Sequence, residues 1–386
     1  MKRHITRSAA AAFAAAMILT FSGCRELDET SGTLFEEPPE TAQSSANSGQ
    51  IQDNQSEPES PESSESQPVV ISPGSTSETD DAPFVPPNNN DVGEVSGSIL
   101  VLDGGRGIML YGIGYDFGRN YAKTVNEYKA KLGANVNVYS MVVPTQVSFY
   151  LPEKYSGLSE EELPHIEDVN EHFIGIIPID AYKALKGHVD EEIYYRTDHH
   201  WTQLGAYYAA RAFAETALVP FDELSQYDRH EKEGYIGSFY ASSNNDPEIK
   251  NNPETFVWYV PKRSVTTTFY DADMTNPTVS SYFINPDNIS SPAEWNLTYM
   301  GGDSRIAHIK TGLKNGRRLM ILKDSYADSF APWLFGSFEE IWVVDMRYCD
   351  VSAAGLAKDK KITDLLFCSC TFSATADNQY RLAEIM

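Results

Sequence analysis

Short apolar runs separated by helix-length stretches set the frame for this chain. Residues 98–102, 136–143, 319–322, 341–344 and 365–367 are dominated by apolar residues without a regular polar alternation, and Pro144 stops the second of them. A strand that is apolar on both sides has to be covered on both faces. The stretches between them carry helical spacing. Tyr115–Leu132 places Tyr121, Val125, Tyr128 and Leu132 three and four residues apart, with Gly133 where a helix would close. Residues 204–218 read as a helix entered through Thr202 as its cap. Residues 160–173, Ala181–Lys186 and 326–335 read as shorter helices, and 174–177 as a short strand. Strands alternating with helices predict an α/β fold with a mostly parallel sheet covered on both faces. Residues from about 220 to 300 break the pattern. They are rich in Ser, Thr, Asn, Asp, Tyr and Pro, and they read as a loop- and β-rich insertion with strands at 256–260 and 264–270. Its aromatics, Trp258 among them, either stack on sugars or pack the insertion.

Before this body the composition changes. Of the formal net charge of −25, sixteen acids and no base lie between Glu26 and Val95. That stretch is Ser-, Glu-, Pro- and Gln-rich with few large apolar residues, so burial cannot offset chain entropy. Residues 24–95 are therefore expected to be an extended, self-repelling tether, and 96–386 the folded body. An acidic chain without a basic run argues against a nucleic-acid partner. At the start, Lys2, Arg3 and Arg7 precede an apolar run from Ala9 to Phe21, too short for a stable membrane span. Phe21-Ser22-Gly23-Cys24 resembles a bacterial lipobox, which implies a signal peptide over 1–23, lipid on Cys24 and an address on the outer face of the cell membrane. The bland alternative is a plain secretory signal. Cys349, Cys368 and Cys370 remain; Cys368-Ser369-Cys370 is not a zinc spacing, and one disulfide from Cys349 to Cys368 or Cys370 is open.

Two stretches carry the chemistry. Arg196-Thr197-Asp198-His199-His200-Trp201-Thr202 precedes a helix, and Lys323-Asp324-Ser325-Tyr326 follows an apolar strand. A serine at a strand-to-helix turn exposes its hydroxyl above the carboxyl edge of the sheet, where main-chain N–H groups can face an oxyanion. Serine needs a base within hydrogen-bond reach, and the base needs a carboxylate to fix its tautomer. In Asp-x-His the carboxylate and imidazole can turn toward one site from a tight loop.

Those same residues carry a resemblance. The stretch from Thr197 to Thr202 is similar to the signature of the DHHW family of bacterial exported proteins. Tyr139-Ser140-Met141-Val142-Val143-Pro144-Thr145, Gly237-Ser238-Phe239-Tyr240, Leu322-Lys323-Asp324-Ser325-Tyr326 and Asp345-Met346-Arg347-Tyr348 match in the same order. That family is similar to the SGNH-hydrolase-like proteins of alginate O-acetylation. The resemblance implies an SGNH-like three-layer α/β/α sandwich, with Ser325 as nucleophile, His200 as base and Asp198 as its orienter. It implies acetyl transfer to, or removal from, an extracellular or cell-wall polysaccharide, with a membrane-bound O-acyltransferase as the partner that supplies acetyl groups. No cofactor and no metal are expected. Tyr326, Gly302, Asp303, Thr145 and Arg347 are candidates for substrate binding or the oxyanion.

Competing readings attach to neighbouring residues. Gly302-Asp303-Ser304 looks like another SGNH block and makes Ser304 a rival nucleophile, but no clear apolar strand precedes it. His199 rivals His200 as base, or serves as a structural histidine. Trp201 reads as core. Arg196 and Arg347 either hold a sugar acid or pair with carboxylates. Asp-His-His also resembles a motif of metal-dependent phosphoesterases, which need further ordered Asp and His clusters. A non-catalytic domain that binds polysaccharide or anchors a partner is the remaining alternative.

Overall fold

The computed structural model describes residues 84–376 and 379–386. The signal segment, Cys24 and most of the expected tether lie outside the described residues. The sheet that organises the body has eight strands: β1 (Asn137–Val143), β2 (Ile177–Pro178), β3 (Thr266–Tyr270), β4 (Thr278–Ser280), β5 (Ile306–Lys310), β6 (Arg318–Lys323), β7 (Glu340–Asp345) and β8 (Asp364–Cys370). Their spatial order is β2-β1-β8-β6-β7-β5-β3-β4. The first five are parallel neighbours, whereas β5, β3 and β4 extend the β7 edge in antiparallel fashion.

The central strands are buried on both faces, as their unbroken apolar runs require. One face sends Val138, Met320, Leu322, Trp342, Val344, Leu365 and Phe367 into a cluster with Tyr121, Val125 and Tyr128 of the Tyr115–Leu132 helix. Leu356 and Leu382 of two shorter helices complete that layer. On the other face the Gln203–Ala217 helix inserts Phe213 against Tyr139, Phe330 and Phe338. Thr202 caps that helix, its Oγ1 accepting from the Gly205 N–H. The result is a three-layer α/β/α sandwich with a mostly parallel sheet.

Three departures from the sequence reading have local causes. Residues 326–335 form two short 3-10 helices, Ser325–Asp328 and Ala331–Leu334, because Pro332 cannot supply the N–H that one continuous helix would need. The stretch from 220 to 300 is only partly an insertion. Its strands Tyr227–Tyr235 and Glu254–Pro261 form a separate two-stranded ribbon, but β3 and β4 join the main sheet. The joining piece is β5, where His308 and Lys310 mask the apolar pattern; His308 stacks on Trp342 and bonds Glu340. Contacts with the body also begin before residue 96. Gly93–Ser96 opens a three-stranded meander with Ile99–Leu102 and Arg106–Met109. Asn88 donates to the Tyr150 carbonyl and the Gly93 N–H to the Tyr155 hydroxyl. The cysteines at 349, 368 and 370 are all buried free thiols.

Phe213 joins the second helical layer to the sheet. Phe213→Ala is expected to cost about 3–5 kcal/mol of unfolding free energy, read as a lowered urea midpoint at an unchanged slope.

Candidate active site

The carboxyl edge of the parallel strands gathers the reactive groups. Asp324 and Ser325 follow β6 directly. The Asp324 carboxylate accepts from the Tyr326 N–H at 3.0 Å and from the Cys370 N–H, at the end of neighbouring β8, at 2.9 Å. This ties the turn that presents Ser325 to two adjacent strand ends. Asp198 and His200 arrive on a loop clamped at its base. The Thr202 N–H donates to the Ile193 carbonyl, the Tyr195 N–H to the His200 carbonyl, and Tyr194 and Trp201 bridge.

The loop brings three side chains into a chain of hydrogen bonds. His200 Nε2 lies 2.8 Å from Ser325 Oγ, and His200 Nδ1 lies 2.7 Å from Asp198 Oδ1. With the Nδ1 proton directed at the carboxylate, Nε2 is free to accept the serine proton. Asp198 Oδ1 also accepts the His200 main-chain N–H at 2.9 Å, and Oδ2 accepts the Ser238 N–H at 2.9 Å. Burial would raise this carboxyl, but the imidazoles of His199 and His200 and the Ser238 N–H more than offset it. Asp198 sits well below the usual carboxylate range. Gly237 lets the Ser238 turn approach, because a Cβ there would stand 2.4 Å from the Asp198 Cβ. Behind the loop, Glu254 accepts from the Arg196 and Thr197 N–H groups at 2.8 and 2.7 Å.

Two contributors, Asn296 and Gln146, left no pattern in the sequence. Asn296 Nδ2 lies 3.3 Å from Asp198 Oδ1, 3.2 Å from His200 Nδ1 and 2.9 Å from the Tyr235 hydroxyl. Gln146 donates to the Asp198 carbonyl. Lys323 is fully buried beneath the serine turn, with its Nζ 2.7 Å from Asp303, 2.5 Å from Asp328 and 2.8 Å from Asp345. Burial alone would lower its ammonium, but the three carboxylates hold it well above the ordinary lysine value.

The remaining sequence candidates divide. Asp303 lines the small pocket around Ser325, His200 and Asn296, while its oxygens pair with Lys323 and Arg347. Arg347 spans Asp303 and Asp345, so it serves this ion cluster. Gly302 lies beside Asp303 with a φ of +132°. The Tyr326 side chain is buried, its hydroxyl donates to the His199 carbonyl, and its N–H is taken by Asp324. Thr145 is fully buried and bonded to Glu162, and it is not among the residues lining the Ser325 pocket. Trp201 is core, donating to the Tyr326 carbonyl. Ser304 also lies outside the Ser325 pocket lining. Arg196 donates to the Gly104 and Pro253 carbonyls. His199 packs beside His200 with Nδ1 2.7 Å from Ser238 Oγ, and burial followed by the His200 charge lowers it to about 3. Asp198, His199 and His200 bring ligand atoms within 4.8 Å of one another. A cation held there would break the Asp198–His200 bond and compete with Ser325 and Ser238 for the imidazoles.

Two measurements check this electrostatic picture. Lys323→Met leaves carboxylates buried without their cation and should cost about 3–5 kcal/mol in urea unfolding. His199 is neutral when folded but takes a proton when unfolded below about pH 6.5. Stability should therefore fall as pH drops from 6.5, by up to about 1.4 kcal/mol per pH unit. His199→Gln should flatten that slope between pH 6.5 and 5.

With this geometry in hand, the comparisons are specific. The DHHW protein family model matches residues 46–344. The crystal structure of a DHHW family protein from Eubacterium siraeum is 42% identical and superposes with a TM-score of 0.71, covering 76% of this chain and 97% of that one. Bacillus cereus PatB1, solved with a sulfonyl adduct, is 18% identical with a TM-score of 0.60, covering 75% and 98%. That likeness concerns the fold, which is SGNH-like in both. No curated protein matches the chain. Among the described residues no helix is long and apolar enough to cross a membrane. On the family match and the 42% identity over nearly the whole of that relative, the chain belongs to the DHHW protein family.

Proposed function

We propose that this protein is a serine-dependent acyl transferase that moves acetyl groups on an extracellular polysaccharide through an acetyl-Ser325 intermediate. The observation that carries the reading is the unbroken line from Asp198 through His200 to the Ser325 hydroxyl, with contacts of 2.7 and 2.8 Å. Ser325 Oγ attacks the acetyl carbonyl carbon while His200 Nε2 takes its proton. The oxyanion of the tetrahedral intermediate is held by the Ser325 N–H at the start of its turn. Collapse breaks the bond to the donor oxygen, which leaves with the proton from His200. A sugar hydroxyl or water then gives its proton to His200, attacks the acetyl-serine carbonyl, and frees Ser325 as the proton returns. Asp198 keeps the imidazole in its working tautomer throughout.

The small space beside Ser325 supports an acetyl-sized group. It measures about 30 Å³, where one water needs about 10–15 Å³ on a comparable measure. Lipid on Cys24 and the acidic tether would hold the domain at the outer face of the membrane, within reach of a membrane-bound acyltransferase as acetyl source.

Hydrolysis of p-nitrophenyl acetate tests the chemistry. Ser325→Ala should abolish it, and Asp198→Asn should lower kcat by about 10⁴-fold, as expected when a triad carboxylate is lost and the tautomer is wrong. Wild-type rates in Ser325→Ala would overturn the proposal and favour a non-catalytic binding domain.

A further inference from the structure

A second, larger cavity adjoins the loop that carries Asp198 and His200. The pocket beside Ser325 is too small for a sugar ring. The second cavity encloses about 350 Å³ and is lined by Arg106, Tyr195, Arg196, Glu254, Val257 and Tyr259 among others. Gln203, at the start of the Gln203–Ala217 helix, lines both spaces.

The lining is unusual for a merely structural void. Tyr195 is 2% exposed, and its hydroxyl has no hydrogen-bond partner among the described residues. Arg106 Nη1 is likewise buried and without a partner; the guanidinium lies 4.2 Å from the centroid of the Tyr150 ring, and no ion pair is formed by it among the described residues. The lining carries three arginines (106, 196 and 229), four glutamates (191, 192, 233 and 254) and the rings of Tyr194, Tyr195 and Tyr259. Three arginines against four glutamates leave only a small net charge with which to select a strong anion or cation. Aromatic faces with fixed donors and acceptors suit the apolar ring faces and many hydroxyls of a sugar.

We propose that this cavity is a glycan subsite that holds one sugar ring of the polymer whose neighbouring unit reaches Ser325. The inference rests on the acyl-transfer reading for the identity of that neighbour, but not for binding itself. The subsite also touches the catalytic loop from behind. Glu254 lines the cavity with the same carboxylate that holds the Arg196 and Thr197 N–H groups. A sugar bound there would be felt at Asp198 two residues or fewer away.

The test applies the full chain to a printed array of bacterial cell-wall and capsular oligosaccharides, then measures the best binder by fluorescence anisotropy. Wild type and Ser325→Ala should bind alike. Val257→Trp, which fills the cavity, and Tyr259→Ala, which removes a ring, should each weaken binding at least tenfold while p-nitrophenyl acetate hydrolysis and circular dichroism stay unchanged. Hydrogen exchange on the wild-type protein should show glycan-dependent protection in Glu254–Pro261 without any substitution. No glycan bound by wild type, wild-type affinity in the folded variants, or no protection of that strand would overturn the subsite. Loss of glycan binding in the variants of a protein that lacks Ser325-dependent hydrolysis would sustain the subsite while removing the acyl-transfer reading.

Discussion

One buried carboxylate organises the candidate site of this molecule. Asp198 accepts the His200 imidazole, the His200 main-chain N–H and the Ser238 N–H, and it has Asn296 beside it. These partners come from the catalytic loop itself, the turn after the ribbon's first strand and the stretch leading to β5. A buried anion of this kind is tolerated only when donors surround it, so the three segments are held in register by its need for partners. Gly237 is the steric counterpart, since any side chain there would occupy the space of the Asp198 carboxylate. The orientation of His200 toward Ser325 is the outcome of that packing, not of the loop alone.

The frame was largely legible in the chain because it obeys simple periodicities. The Tyr115–Leu132 helix and the strands that became β1, β6, β7 and β8 show predominantly apolar patterns, with Asn137 and Ser140 the polar members of β1. β5 escaped notice because His308 and Lys310 interrupt its pattern, the first to stack on Trp342 and the second to reach solvent. Missing β5 made residues 266–280 look like pure insertion. The grouping of Asp198, His200 and Ser325 was suggested by chemistry and family resemblance. Asn296, Gln146 and Glu254 could not be, because each acts across more than fifty residues and none sits in a spaced motif. Arg347 and Asp303 stood out in the sequence, and the geometry gives them to the Lys323 ion cluster.

That cluster and the catalytic line divide the labour of the site. Lys323 and Arg347 sit among Asp303, Asp328 and Asp345 beneath the turn, so the end of β6 is pinned to the end of β7 and to the segment before β5. Asp324 pins the other side of the turn to β8. Ser325 is thus presented from a rigid edge, in keeping with the accuracy that nucleophilic catalysis demands. A tight space beside Ser325 and a wider polar cavity adjoining the loop suit the proposed chemistry on a small group carried by a large polymer.

The most direct measurement of the central claim is mass spectrometry of protein quenched in acid during turnover of an acetyl ester. A single acetyl group is expected on the peptide that contains Ser325, lost when the protein carries Ser325→Ala and accumulating when deacetylation is slow. An acetyl group found instead on Ser304 or Ser238, or an unmodified chain that still turns over the ester, would contradict it.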